Sequence, residues 1–214
     1  MSPLLRLVAR DIVRTFAQGG VWLPLVFYLL VATLFPFAIG PDAALLGKIG
    51  GGVLWTAALL AALLPVERLV RPDIASGVID QLVVRGLSDE GVAAAKLVAH
   101  WLSFGPPLML ATLAAGALLN LDGATFMRLE TGLLIGTPGL AALGLAVAAL
   151  TASLRASGAL IGLVMLPLAV PLLIFGAGSI DGGASAVKFL AAVSLLLLAG
   201  APFVAAAAMR VGME

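Results

Sequence analysis

Long apolar stretches without Asp, Glu, Lys or Arg dominate the chain. Six of them are long enough to cross about 30 Å of hydrocarbon, because a helix rises about 1.5 Å per residue. They predict six transmembrane helices, at about residues 19–40, 49–66, 97–120, 131–153, 157–180 and 189–209. The pattern therefore indicates an all-α integral membrane protein.

The segment before the first span has the periodicity of an amphipathic helix. Arg6, Arg10 and Arg14 recur every four residues and share one side, whereas apolar residues fall on the other. These apolar residues are Leu5, Val8, Ile12, Val13 and Phe16. The pattern predicts an interfacial helix over about residues 3–17, with its arginines among lipid phosphates. The alternative is a positive flank that only fixes topology.

Composition agrees with a membrane location. The chain is 62% hydrophobic and only 11% charged, with a mean hydropathy of +1.19, whereas soluble domains are about a quarter charged. Six spans and short connections use nearly all of the 214 residues. We therefore expect one transmembrane domain over residues 1–214.

The positive charges predict the orientation of the bundle. With six spans, nine Lys and Arg residues fall on the side of the termini, Arg155 and Arg210 among them. Lys48, Arg128 and Lys188 fall on the other side. Since positive residues are retained in the cytoplasm, both termini are predicted to be cytoplasmic.

Charge concentrates in the cytoplasmic loop predicted at residues 67–96, which holds nine of the 23 charged residues. Pro72 suits the first position of a helix, and Asp73 would lie in its first turn, where the dipole favours an anion. An apolar stripe with a spacing of four is predicted along it. The stripe residues are Val70, Ile74, Val78 and Leu82.

A second helix is predicted to begin at Ser88 and to run through Lys96 into the third span. A short amphipathic helix in this loop suits docking to a soluble partner, as an apolar ridge with charges at its rim. The alternative is a solvated loop that only joins two spans.

The sequence lacks the motifs of common catalytic and cofactor sites. The nearest approach to the GxxxxGK[ST] phosphate loop, at residues 40–49, has six residues between its glycines and isoleucine after the lysine. The absence of cysteine excludes disulfides and thiolate metal sites. A net charge of +1 gives no basic field for nucleic acid. We predict no catalytic residue, no metal site and no directly bound cofactor.

His100, the one histidine, lies about one turn past Lys96 and precedes Trp101. It is interpreted either as a satisfied interfacial histidine beside Trp101 or as a haem ligand or proton carrier. Ionisable residues are nearly missing from the predicted hydrocarbon depth, so no buried carboxylate is expected for a proton relay.

Prolines inside the predicted spans remove backbone donors and favour kinks. Such kinks permit hinge motion, although they also occur in helices that do not move. The predicted kink residues are Pro106, Pro107, Pro138, Pro167 and Pro171. Gly132 with Gly136 and Gly158 with Gly162 belong to four Gly-xxx-Gly pairs, but with 25 glycines chance alone gives roughly three, so the pairs carry little weight as dimer motifs.

Six stretches along nearly the whole chain together resemble one family: LFPFAIGP (34–41), WTAALLAALLPVERL (55–69), DIASGVIDQL (73–82), AKLVAHW (95–101), GTPGL (136–140) and LPLAVPLLIFG (166–176). The sequence resembles the CcmB family, the haem exporter B membrane subunits of cytochrome c maturation ABC complexes. It departs from the family at RGLSDEG (85–91), where a proline-containing turn would be expected.

The resemblance implies a six-span permease of the ABC-2 exporter type in the bacterial inner membrane. It implies a pair of these subunits working with two copies of the ATPase CcmA, which binds ATP, and association with CcmC, CcmD and the haem chaperone CcmE. On this interpretation the charged loop is a coupling helix seated on the ATPase. The residues expected at the coupling site are Glu67, Arg68, Asp73, Ile74, Gly77, Asp80 and Gln81.

Two mechanisms remain open. Motion of the coupling helix on ATP hydrolysis could release holo-CcmE from the complex, or haem could cross the membrane through the bundle. We favour the first, because a path for a dianionic porphyrin would ordinarily need cationic or ligating residues at mid-membrane. Haem would then be handled by the complex as a whole.

Overall fold

The computed structural model describes residues 2–40, 42–152, 158–181 and 183–213, and the regular secondary structure in these ranges is helical. Six helices are long and apolar enough to span a membrane, which confirms the all-α, six-span prediction. The helices are α1 (Pro3–Ala17), α2 (Trp22–Ile39), α3 (Ala43–Leu63), α4 (Arg71–Ala75), α5 (Val78–Val84), α6 (Asp89–Leu118), α7 (Gly123–Thr151), α8 (Gly158–Ile180) and α9 (Ala184–Met213), with a 3-10 turn at Val66–Arg68.

Side-chain caps extend several helices beyond the predicted spans. The Asp42 carboxylate accepts hydrogen bonds from the amides of Ala44 and Leu45, at 3.0 and 3.1 Å, so α3 begins at Ala43 rather than near residue 49. The Asp122 side chain caps α7 in the same way, so this helix begins at Gly123 rather than near residue 131. The hydropathy pattern marks only the apolar part of each helix, whereas capping decides where the helix starts.

Contacts between helix ends fix the topology. Arg210, near the end of α9, donates hydrogen bonds to Asp89 at 2.6 Å and to Glu90 at 2.5 Å, at the start of α6. Helix α1 packs on the same end of α6. We call this end of the bundle the charged side. Arg128 contacts the carbonyl of Ile180 at the opposite side. Both termini thus lie on the charged side, as predicted, while Arg155 lies outside the described residues.

The core of the bundle is built around Trp55 of α3, which is fully buried. Its ring packs on three glycines, Gly132 and Gly136 of α7 and Gly176 of α8. The Gly132–Gly136 pair therefore forms a groove for a side chain of the same chain. Glycine is required here because a Cβ on Gly176 would lie 2.5 Å from Cε2 of the indole.

The prolines expected to kink the spans all lie inside helices that continue past them. Two are in α6, one in α7 and two in α8: Pro106, Pro107, Pro138, Pro167 and Pro171. None of the five ends its helix. Their role as hinges remains a prediction.

Candidate coupling site

The charged loop folds into two short helices rather than one. Helix α4 has a proline at its N-terminal end and Asp73 in its first turn, as predicted. Gly77 then adopts a left-handed conformation, with φ of +66°, which ends α4 and turns the chain into α5. Of the predicted stripe, Val70, Ile74 and Leu82 are buried or pack against buried residues, but the break changes the register, so Ile79 is buried instead of Val78.

Asp73 lies at the centre of a buried ion cluster. Its carboxylate accepts hydrogen bonds from Lys96 of α6, from Arg10 at 2.8 Å and from Arg14 at 3.0 Å. Lys96 also contacts Asp11 at 3.3 Å. We call these five residues the ionic cluster. It joins α1, α4 and α6 through side chains that lie far apart in the sequence.

Burial makes the ionic cluster a structural connection rather than a surface contact. The side chains of Asp73 and Lys96 are 5% and 4% exposed, and charges this deeply buried are tolerated only when paired and hydrogen-bonded. Partial burial by itself lowers the pKa of Arg10, but Asp11 and Asp73 outweigh it and raise that pKa above its usual value.

Two predictions change as a result. Arg10 and Arg14 bind Asp73, so they are not simply presented to lipid phosphates as expected. Asp73 is buried within the chain and cannot itself touch an ATPase, although it can orient the residues around it. Sequence spacing could not show either contact, because the partners are about 60 residues apart.

Helix α1 is fixed to the bundle by apolar contacts as well. Leu7 packs with Val92 and Ala95 of α6 in a small core of its own. The other face of α1 presents apolar side chains that are more than half exposed, which suits a helix lying at the membrane interface. These side chains are Leu5, Val13 and Phe16.

The other residues predicted for coupling divide into exposed and half-buried positions. Four of them are exposed: Glu67, Arg68, Asp80 and Gln81. Ile74 and Gly77 are half-buried, and Gly77 positions α5 through its backbone. Gln81 also lines a groove of about 550 Å³ between α1 and α5, together with Arg6 and Arg85. Gly86 at φ +86° supplies the turn after α5 where a proline was expected.

His100 is buried in this fold and Trp101 is half-buried. The ring of His100 is buried, packs at 5.0 Å from that of Phe104, and its Nε2 has no hydrogen-bond partner among the described residues. That atom faces Gly144 of α7. The indole of Trp101 donates to Thr137 of α7 at 3.1 Å. The expectation that the His100 side chain is hydrogen-bonded is therefore wrong for its Nε2. Trp101 connects α6 to α7.

Sequence reasoning missed Glu130. Because α7 begins at Gly123, Glu130 lies inside the helix, and its Oε1 is buried without a partner among the described residues. Glu130 is half-buried and lies directly before the predicted fourth span, so it is a partly buried carboxylate that the sequence reasoning did not consider. The signal in the sequence was Asp122, eight residues earlier, because an Asp at this position can cap a helix that begins before Glu130.

Within the described ranges, no group of three or more His, Cys, Asp or Glu residues could hold a metal ion. The ionic cluster connects α1 and α4 to the transmembrane helix α6 through paired charges.

Comparison with known proteins identifies the family. The family model described as CcmB protein matches residues 2–212. A protein named heme exporter protein B from Paracoccus denitrificans is 45% identical, over 97% of this chain and 99% of its own length. A protein of the same name from Bradyrhizobium diazoefficiens is 40% identical, over 100% of this chain and 100% of its own length. Another, from Escherichia coli K12, is also 40% identical, over 89% of this chain and 90% of its own length. The chain belongs to the CcmB family, and is a multi-pass membrane permease of that family.

Proposed function

We propose that this chain is the permease subunit of an ABC transporter complex for haem export and c-type cytochrome biogenesis in the bacterial inner membrane. The names of its relatives support the haem-export role. In this proposal the charged side faces the cytoplasm, in agreement with the distribution of Lys and Arg. The chain has no catalytic role of its own, and ATP is bound and hydrolysed by a CcmA-type partner.

The observation that carries a coupling role is the link between Asp73 and Lys96. Asp73 belongs to α4, beside the exposed α5, whereas Lys96 belongs to the helix that continues into the membrane. A displacement of the short helices would therefore reach α6 directly. Arg10 and Arg14 extend the same connection to α1.

The proposed docking surface is the exposed part of α5, with Asp80 and Gln81 at its centre and Glu67 at its edge. These side chains are free to meet a partner because they are exposed and lie outside the ionic cluster. Two copies of the permease would present two such surfaces to two ATPase subunits. The complex would also include CcmC and CcmD.

The proposed output is mechanical. ATP-driven movement of the ATPase displaces α5 and α4. The ionic cluster transmits this displacement to α6, and holo-CcmE is then released from the complex. Haem itself is handled by the complex on this proposal.

Co-purification in detergent with a CcmA-type ATPase tests the docking surface. The variant is Asp80→Arg with Gln81→Arg, and the matched control is Asp181→Arg, an exposed carboxylate at the opposite end of the bundle. We expect the α5 variant to lose about tenfold or more of the bound ATPase, since like charges in an interface are strongly unfavourable. The control should retain all of it.

Equal retention by the α5 variant would show that the ATPase binds elsewhere. The mechanical output is tested separately, with vesicles that contain this chain and the ATPase but neither CcmC nor CcmE. ATP-dependent movement of haem across these vesicles would favour direct translocation through the bundle instead.

A further inference from the structure

A second feature of the charged side is a cavity of about 170 Å³ where α1 meets α2. It is large enough for several water molecules or a comparable polar group. Its walls come from the end of α1, the start of α2, the segment after α3, and α6. The docking surface on α5 is not part of it.

The cavity carries an excess of positive charge. Three cations line it, Arg14, Arg68 and Lys96, against two carboxylates, Asp11 and Asp73. Both carboxylates already accept hydrogen bonds from cations of the ionic cluster. Arg68 supplies the uncompensated positive charge, because it is exposed and pairs with no carboxylate in the described part of the chain.

Two guanidinium groups border the cavity from different segments. Arg14 belongs to α1 and uses one nitrogen for Asp73, while Arg68 belongs to the 3-10 turn and its guanidinium donates no hydrogen bond to the described residues. Guanidinium groups in such pairs suit the planar, bidentate recognition of phosphate or carboxylate. The ligand is therefore an anion with several oxygen atoms.

The remaining lining includes polar residues, Thr15, Gln18, His100 and Ser103, and an apolar part that belongs to the ends of membrane helices. Leu23, Leu64 and Phe104 line the cavity, together with Pro24 and Pro65. Trp22, beside it, is 66% exposed, and tryptophan at a helix end typically marks the interfacial depth of the bilayer. A ligand here has its anionic group beside arginines and an apolar part beside the first span.

We propose that this cavity binds the phosphate of a phospholipid from the cytoplasmic leaflet, held between Arg14 and Arg68, with its acyl chains along α2. The lipid would lie between α1 and the segment that leads into α4. It would therefore stabilise the position of the coupling site without touching α5. This inference extends beyond the proposed function and does not depend on the ATPase.

Native mass spectrometry of the purified chain with added phosphatidylglycerol tests this binding. The variant is Arg68→Gln, which breaks no ion pair among the described residues. The matched control is Arg71→Gln, an exposed arginine of the same loop that does not line the cavity. We expect Arg68→Gln to reduce the lipid-bound fraction by about five- to tenfold, and Arg71→Gln to leave it unchanged.

Two further additions identify the source of the phosphate. Diacylglycerol with the same acyl chains should not be retained, and inorganic phosphate should not displace the lipid. Displacement of the lipid by inorganic phosphate would show that the cavity binds a free anion. Equal retention of diacylglycerol would show that only the acyl chains are bound and that the phosphate is not recognised. Either result would overturn the proposal, as would equal lipid binding by Arg68→Gln and the unaltered chain.

A measurement on the unaltered chain avoids any effect of substitution on folding. Phosphatidylglycerol with a photoactivatable group near the phosphate should label peptides that contain residues 14–24 and 64–69, which border the cavity. Labelling confined to other parts of the chain would contradict the proposed site.

Discussion

At the scale of single residues, small and charged side chains decide how this bundle packs. Trp55 occupies a groove whose three glycine walls leave no space for a methyl group. The interior of a membrane bundle depends on close packing, because lipid tails are as apolar as the side chains themselves. The position of each glycine against a neighbour therefore matters more than its membership of a Gly-xxx-Gly pair.

Replacing Gly176 with alanine should lower the stability of the bundle by about 1–3 kcal/mol, because the new Cβ overlaps the indole of Trp55. Gly162→Ala in the same helix is the matched control, since nothing lies within 4 Å of its Cβ position. Thermal unfolding in detergent measures both. Equal melting temperatures for the two variants would contradict the packing described for Trp55.

At the scale of elements, the ionic cluster joins three separate helices into one layer on the charged side. Helix α1 is held through Arg10 and Arg14, α4 through Asp73, and α6 through Lys96. Helix α5 follows α4 after the turn at Gly77. A buried cluster of this kind is sensitive to the loss of one member, since the remaining charges lose their compensation.

The Asp73→Asn substitution should destabilise this layer by roughly 3 kcal/mol, because Lys96 and two arginines lose the negative charge that compensates them. We expect the largest effect in α1, whose amides should exchange with deuterium faster, as measured by hydrogen exchange and mass spectrometry. The matched control is Asp80→Asn, an exposed carboxylate on α5. Unchanged exchange in α1 would show that apolar contacts of Leu7 hold the helix by themselves.

At the scale of the whole molecule, the helix ends define two sides and an outer surface. The charged side contains α1, α4, α5 and the ends of α6 and α9, whereas the opposite side contains short connections such as the one at Asp122. Long apolar side chains of α2, α8 and α9 are exposed around the bundle. Such a surface is expected where lipid or other membrane helices surround the protein.

Single-cysteine labelling can measure the orientation directly, because the chain contains no cysteine. A membrane-impermeant maleimide should label Gln81→Cys in inside-out vesicles and Ala124→Cys in right-side-out vesicles, both positions being exposed. Leu196→Cys is the control. Its position is exposed on the side of α9 but should stay unlabelled in both preparations, because a thiol in hydrocarbon does not ionise. Labelling of Gln81→Cys from the outside would reverse the proposed orientation.

Much of the architecture follows from the sequence because its causes are local. A run of apolar residues predicts a span by its length alone, and Ser88 caps α6 as its position before an acidic pair indicates. The distribution of Lys and Arg predicted that Arg210 would share a side with the charged loop, and its contacts with Asp89 and Glu90 confirm this. The family resemblance was also present in the sequence, and the comparisons confirm it.

The tertiary structure alone decided the contacts that give the charged side its properties. Asp73 has the spacing of an exposed first-turn residue, yet it is buried, because Arg10, Arg14 and Lys96 converge on it from distant parts of the chain. The groove for Trp55 and the basic cavity beside α2 also combine residues from three or more segments. Periodicity predicts which residues share a face of one helix. Whether that face is buried and which charges it pairs with depend on the other helices that pack against it.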